Sequence, residues 1–336
     1  MRRALFLSGL GVILAAALVV PLPVVAIEPG GALPVPPRVK LGIPAHPVHG
    51  QLLLTTVRLA EPPLVRAVVD WLDDDADLAP RQAVIPPGVD EREYFATQQR
   101  VFRESAQVAA AVGLRKAGYP VEVSGGGVRV SAVIPRSPAA GKLREGDIVT
   151  AVDGRPVRLA SDVVEATSRA KAGDQVTIEV KRGDETRSVT IELARVSELG
   201  RPGLGVALVT LGFTVKLPFA VDVDQGQIGG PSAGLMLALT VYDLVDPGDL
   251  VRGRTIAGTG TIDISGRVGP VGGVAQKVAA AEQAGAEMFL APTAEAAEAR
   301  KAAGTRLKVT SVQTMDDAVA ALTAGPGTPT GKETTS

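Results

Sequence analysis

Ile228-Gly229-Gly230-Pro231-Ser232-Ala233-Gly234 is the stretch on which the fold turns. Gly230, Ser232 and Gly234 spell G-x-S-x-G, the pattern of a serine nucleophile on a tight strand-to-helix turn. Such a serine takes its base from a histidine later in the chain. The only histidines, His46 and His49, both lie far upstream of Ser232. The elbow reading fails on that order. Ser232 is then either structural or served by a base other than histidine. Pro231 suits the first turn of a helix, which places Ser232 at or near a helix N-terminus. Free N–H groups and the positive dipole end collect there, and an oxyanion would be stabilised there. Gly229 and Gly230 lack side chains and let a substrate backbone approach.

Downstream, residues 254–273 read as a strand, a turn and a glycine-rich bend. Residues 274–285 read as a helix that stops at Gly285, followed by a strand to Pro292. On a wheel of about 100° per residue, Val274, Val278, Ala281 and Ala284 flank Lys277, with Gln276 and Gln283 on the other side. A lysine in apolar surroundings loses proton affinity through desolvation. The neutral amine that results is a competent general base for a serine. The competing reading is a lysine that snorkels at the helix edge.

Composition narrows the rest. The 336 residues suffice for two domains, and 46% apolar content with 21% charged supports packed cores. Aromatics are only 3%, so those cores are built from Val, Leu, Ile and Ala. A net charge of −1 without a basic run gives no support to a nucleic-acid partner. The absence of cysteine excludes disulfides, thiolate metal sites and a cysteine nucleophile. His46 and His49 sit in Ala-His-Pro-Val-His-Gly, without the spacing of a zinc hydrolase, and read as loop residues. Neither a metal nor a cofactor is expected.

At the N-terminus, Arg2 and Arg3 precede an uncharged run from Ala4 to Ile27. That length predicts a transmembrane helix over 1–27, with the N-terminus cytoplasmic and the remainder outside the cell membrane. A cleaved signal segment ending near Ala26 is the alternative. Residues 28–49 are rich in proline and glycine and are expected to be a linker. Residues 50–117 hold a strand at 49–59, a short helix at 62–73 and a long helix at 90–117, expected to pack on the C-terminal domain. Four aspartates at 73, 74, 75 and 77 lack the glycine and distal glutamate of a calcium loop and read as a solvated turn.

The next block alternates apolar and polar residues over Val128, Val130, Ala132 and Ile134. A second strand, a tight turn at Asp153-Gly154, a helix over 159–173 with Ser161 as its cap, and a hairpin across Arg182-Gly183-Asp184 follow. With Ser137-Pro138-Ala139, Leu143 and Gly146-Asp147, this block resembles a PDZ domain of the circularly permuted bacterial kind, over 118–198. The resemblance implies a peptide groove along Tyr119, Val121 and Val123, against the helix at 161–171. Pro120 removes one backbone donor from that edge.

The C-terminal stretch, 199–324, resembles the proteolytic domain of the Lon family. The matching pieces are Gly230-Pro231-Ser232-Ala233-Gly234, Ala257-Gly258-Thr259-Gly260, the run from Gly266 to Gly273 ending in Lys277, Ala280 to Ala286, and Ala291-Pro292. The resemblance implies that Ser232 is the nucleophile and Lys277 the base, with Thr259, Gly229, Gly230 and Pro231 supporting them. Two departures change the site's charge: Gly229 stands where the family often has an acid, and so does Thr261. The chain as a whole resembles the membrane-anchored PDZ-containing Lon-like proteases. Its fold class is then α+β and multidomain: a transmembrane helix, a permuted PDZ domain and a Lon-type α/β domain. The expected function is an ATP-independent serine endopeptidase of the cell envelope, acting on unfolded or misassembled proteins, with a hexameric ring implied by the resemblance alone. The alternative is a PDZ adaptor with a silent Lon-like domain. Ser168-x-x-Lys171 lacks the companion motifs of a Ser/Lys hydrolase, and Pro326 to Glu333 only approximates a phosphate loop in a tail, 325–336, expected to be disordered.

Overall fold

The computed structural model describes residues 18, 20, 22–73, 75–86, 88–168, 170–196 and 201–324. The chain forms two compact units, one from residues up to Tyr119 and from Phe219 onward, the other from Pro120–Pro218. The smaller unit is an insertion in the chain of the larger. At the points of departure and return, the Tyr119 and Phe219 rings meet edge to face, their centroids 5.4 Å apart.

The larger unit is built on a six-stranded sheet. Its strands are β1 (Val24–Pro34), β2 (Gln51–Ala60), β3 (Asp77–Pro80), β4 (Thr255–Gly258), β5 (Met288–Pro292) and β6 (Lys308–Val312), in spatial order β6-β5-β4-β2-β1-β3. β2, β4, β5 and β6 run parallel, whereas β1 is antiparallel to both neighbours. β2 thus brings the N-terminal segment into the centre of the C-terminal sheet, with Leu52, Leu53 and Leu54 opposite Ile256, Ala257 and Gly258. Its helices are α1 (Leu64–Leu72), α2 (Glu91–Lys116), α3 (Gly234–Val245), α4 (Val274–Gln283), α5 (Ala296–Ala303) and α6 (Met315–Thr323), besides a short turn at Arg81–Val84. Leu53, Ala257, Phe289 and Ala291 of the sheet bury Val274, Val278 and Ala281 of α4 and Ala299 and Ala303 of α5. Small residues at those helix positions let the helices lie close on the strands. α2 is started by Asp90, whose carboxylate accepts from Arg92 N–H at 2.8 Å, and ends with Arg115 and Lys116 against its negative pole.

Four expectations are corrected here. Among the described residues no helix is long and apolar enough to cross a membrane. Val24 to Ile27, the last apolar residues of the N-terminal run, are in β1, with Val24, Val25, Ala26 and Ile27 opposite Pro80, Ala79, Leu78 and Asp77. Extended backbone paired on both sides cannot also be the end of a spanning helix, so the transmembrane span over 1–27 and the single-pass placement drawn from it do not stand. Residues 1–17, where most of that span was expected, lie outside the described residues, as does the tail at 325–336. The expected linker at 28–49 holds the rest of β1 and a strand at Val39–Leu41 paired with Val221–Val223. Its glycines serve a register shift between Pro29 and Ala32, where Thr56 Oγ1 accepts from Gly31 N–H at 2.9 Å and donates to Gly31 O at 3.2 Å. Finally, the expected polar side of α4 is covered. Gln276 is buried and donates to Asp77 Oδ2 of β3 at 2.9 Å.

α1 has its apolar side outward. Leu64, Val65, Val68, Val69, Trp71 and Leu72 are exposed, Trp71 at 74%. Asp70, at 1% exposure, pairs with Arg66, and Arg66 reaches Glu28 of β1.

In the smaller unit, strands at Glu185–Glu192, Gln175–Arg182, Ile148–Val152, Val128–Val133 and Val206–Thr210 lie side by side in that order. Val128, Val130, Ile178, Val180 and Ile191 fill its core, with Val163 of the helix Ala160–Ser168. Asp162 rather than Ser161 caps that helix, accepting from Arg158 and Leu159 N–H. The strand Val206–Thr210, expected in the C-terminal domain, pairs with Val128–Val133, because its alternation covers the same core. The chain therefore leaves this unit near residue 218 rather than 198.

Candidate active site

Ser232 and Lys277 line one cleft of about 800 Å³ in the larger unit, together with Gly229, Pro231, Thr261 and the Pro270–Gly273 turn. Leu54, Thr55, Thr56 and Val57 of β2 and Tyr94, Phe95 and Gln98 of α2 also line it.

Ser232 lies in the turn just before α3, with Ala233 at the cap position. Gly230 makes the turn possible: its φ of +79° belongs to the left-handed region that favours glycine. Its N–H donates to Gln98 O of α2 at 2.9 Å. A Cβ at Gly229 would lie 2.9 Å from the Gln98 Cβ, so the acid often found there in the family has no room beside α2. Ser105 Oγ donates to Pro231 O at 3.2 Å, and Gln225 Nε2 bonds both Gln99 O and Ile228 O. From the other side, Gly260 N–H and Thr259 Oγ1 both donate to Ser232 O, at 2.9 and 3.2 Å. Thr259 is fully buried behind the cleft wall. The nucleophile's main chain is fixed from two directions, and the serine side chain stays half-buried on the cleft.

The amides at the helix start divide into two groups. Gly234 N–H donates to Pro231 O and Leu235 N–H to Gly260 O. The N–H groups of Ser232 and Ala233 have no acceptor among the described residues. Two amides beside a serine, at the positive end of a helix, can hold an oxyanion.

Lys277 is on the first turn of α4, its N–H bonded to Gly273 O at 3.1 Å. Gly273 starts that helix with φ +64°, and a Cβ there would stand 2.7 Å from Val57 Cγ1. Glycine is thus needed both for the turn and for the approach of α4 to the sheet. Lys277 is only 3% exposed. Burial pushes its ammonium down to about 8 from the ordinary 10.5, while the negative charge of Glu295 pulls weakly the other way. A substantial share of neutral amine therefore exists near neutral pH.

The remaining expected residues fall elsewhere. Tyr119 is in the larger unit, against Phe219. Val121 and Val123 are in the smaller unit, and Val123 lies in the strand Glu122–Ser124, paired antiparallel with Thr214–Lys216. The other edge of that strand has no ladder partner among the described residues. Sequence reading missed Gln98, Ser105, Gln225 and Glu295. Three of these act through single long-range hydrogen bonds, and none leaves a local signal.

Comparison with known proteins agrees with this partition. Residues 113–193 match the PDZ domain family, and residues 216–324 match the Lon protease (S16) C-terminal proteolytic domain. The chain therefore carries a PDZ domain and a Lon-type proteolytic domain, the domain of a serine peptidase. It is 37% identical over 125 residues to the magnetosome formation protease MamE of Paramagnetospirillum magneticum, covering 36% of this chain and 15% of that protein. Lon protease 1 of Thermus thermophilus is 38% identical over 92 residues, 27% of this chain and 11% of the protease. The chain thus matches only a small part of the length of these relatives. The PDZ domain of an SdrC-like protein from Listeria monocytogenes is 35% identical and covers 25% of this chain and 87% of its own, with a TM-score of 0.24.

Proposed function

We propose that the protein is a serine endopeptidase that works without ATP through a Ser232/Lys277 dyad. The observation that carries this reading is a buried lysine, depressed to about 8, on the same cleft as a serine flanked by two acceptor-free amides. Neutral Lys277 takes the Ser232 proton as Oγ attacks a peptide carbonyl. The N–H groups of Ser232 and Ala233 hold the oxyanion. The Lys277 ammonium returns the proton to the leaving amine, which departs as the acyl-enzyme forms. Water then attacks the acyl-enzyme, with Lys277 again as base, and releases the carboxylic acid and free Ser232. Residues 216–324 supply the chemistry, and the PDZ domain selects or positions protein substrates by strand addition. Assembly into a homo-oligomeric ring belongs to the same reading, and light scattering on the full chain tests it.

The test is hydrolysis of a permanently unfolded protein by the full chain, by Ser232→Ala and by Lys277→Ala, without ATP. Cleavage by the first alone, with both variants folded by circular dichroism, is expected. Activity surviving in Ser232→Ala would overturn the mechanism. Silence from all three folded chains would favour a PDZ adaptor whose Lon-type domain is inert.

A further inference from the structure

The wall of the cleft opposite Ser232 contains a carboxyl group that the dyad does not use. Glu295 stands at the N-terminal cap position of α5, on the loop after β5. α5 packs on α4 through Ala299, Ala303 and Ala281. One carboxylate oxygen of Glu295, Oε2, is buried and has no hydrogen-bond partner among the described residues. An unpaired buried carboxylate oxygen is costly unless a nearby charge offsets it. The cation that acts on Glu295 is Lys277, and the anion that acts on Lys277 is Glu295. Glu298 on α5 is the other charged side chain that bears on Glu295, and the amides of Val271 and of Glu295 itself favour its ionised form. Val271 lies on the cleft between Pro270 and the glycines that start α4. The remaining charges packed near α4 are committed elsewhere: Glu28 of β1 pairs with Arg58 and Arg66, and Asp77 of β3 accepts from Gln276.

We propose that Glu295 is a positioning residue for Lys277, a buried counter-charge that holds the lysine amine and the Val271 wall of the cleft in one arrangement. This rests on the Ser232/Lys277 reading given above. The two groups do not form a direct ion pair. That separation suits the role: a contact pair would keep the amine protonated and occupied, whereas a counter-charge at a distance tempers desolvation and leaves the amine available to Ser232. Burial alone would lower the lysine further, giving more neutral amine but a poorer base. Glu295 sets the balance.

Two readouts test this. The first is the titration of Lys277 itself, followed by NMR in full chain carrying 13C-labelled lysine, with Lys277→Met to assign the signal. Removal of the charge in Glu295→Gln should lower the Lys277 midpoint by between about 0.5 and 1 pH unit. The acid limb of kcat/KM should move down by the same amount, and Glu298→Gln should leave the Lys277 midpoint nearly in place. The second readout uses the unsubstituted protein: the Glu295 carboxyl carbon should show a second inflection at the Lys277 midpoint, lost in Lys277→Met. That arm stands even where Glu295→Gln fails to fold. A Lys277 midpoint unchanged in folded Glu295→Gln, or a Glu295 signal blind to Lys277, would overturn the proposal. The titrations need no turnover. An inactive wild type with coupled titrations would refute the dyad but not the pairing, and an active one with uncoupled titrations would refute only the role of Glu295.

Discussion

Around Ser232 the chain is held by polar contacts. Gln98 O, Ser105 Oγ, Gly260 N–H and Thr259 Oγ1 all reach the Gly230–Ser232 main chain. Around Lys277 the support is apolar: α4 is pressed on the sheet by Val274, Val278 and Ala281, and no polar group is needed to orient the amine. The difference follows from what each group must do. A nucleophile needs a fixed position, which directional hydrogen bonds supply. A lysine base needs a lowered proton affinity, which only exclusion of water supplies. The two halves should therefore fail in different ways.

The sharpest break is Lys277→Met. It should abolish turnover, by roughly a thousandfold or more, as loss of a general base does. It should also stabilise the fold. The folded-state value of about 8 lies below that of the unfolded chain, so burying the ammonium destabilises the protein fully below pH 8. The penalty fades as pH rises from there toward the unfolded value. Replacement by Met should gain up to about 3 kcal/mol at pH 7 and little at pH 10, read by denaturant unfolding at the two pH values. In the wild type, kcat/KM should climb with pH and level off above about 8. A flat profile from pH 6 to 9 would argue against lysine as the base.

On the polar side, Gly230→Ala forces a left-handed residue and should cost about 1–2 kcal/mol. Its rate should fall by roughly one to two orders of magnitude through misplacement of Ser232. The Lys277 titration should not move, and NMR of the labelled lysine checks that. Thr259→Val keeps the shape and removes one of two donors to Ser232 O. A loss near 1 kcal/mol and a rate decrease of about tenfold are expected, with Thr259→Ser restoring most of it. Ser105→Ala should be mildest, within about 1 kcal/mol, because Pro231 O also receives Gly234 N–H. Equal effects of all three on the lysine titration would erase the contrast between the two halves.

The motifs carrying Ser232 and Lys277 were legible because glycine, proline and an isolated lysine on an apolar helix are local signals. The partners of the serine were not. Gln98 donates nothing from its side chain to the site's main chain; its backbone carbonyl does the work, and any residue has one. Proline and glycine also misled. In 28–34 they read as a linker, yet Pro29, Gly30 and Gly31 build the irregularity by which β1 follows β2. Gln276 read as solvent-facing, since periodicity shows one neighbour and α4 has two. α1 shows the same limit: its apolar rhythm was visible, but which side faced inward depended on Glu28, distant in the chain. The strand Val206–Thr210 went to the wrong unit because alternation reveals a strand and not its sheet.

The contact between Tyr119 and Phe219 bears on how such a protein is inherited and rebuilt. Because the two crossings of the chain stand side by side, everything from Pro120 to Pro218 is a cassette with a single small doorway. Insertions with adjacent ends are those that evolution exchanges most freely, since the host closes with a short turn when the guest is lost. The peptidase half can thus change its recognition module without touching its sheet. β1 and β2, by contrast, cannot be moved, although they precede the cassette by tens of residues: they are the middle of the host.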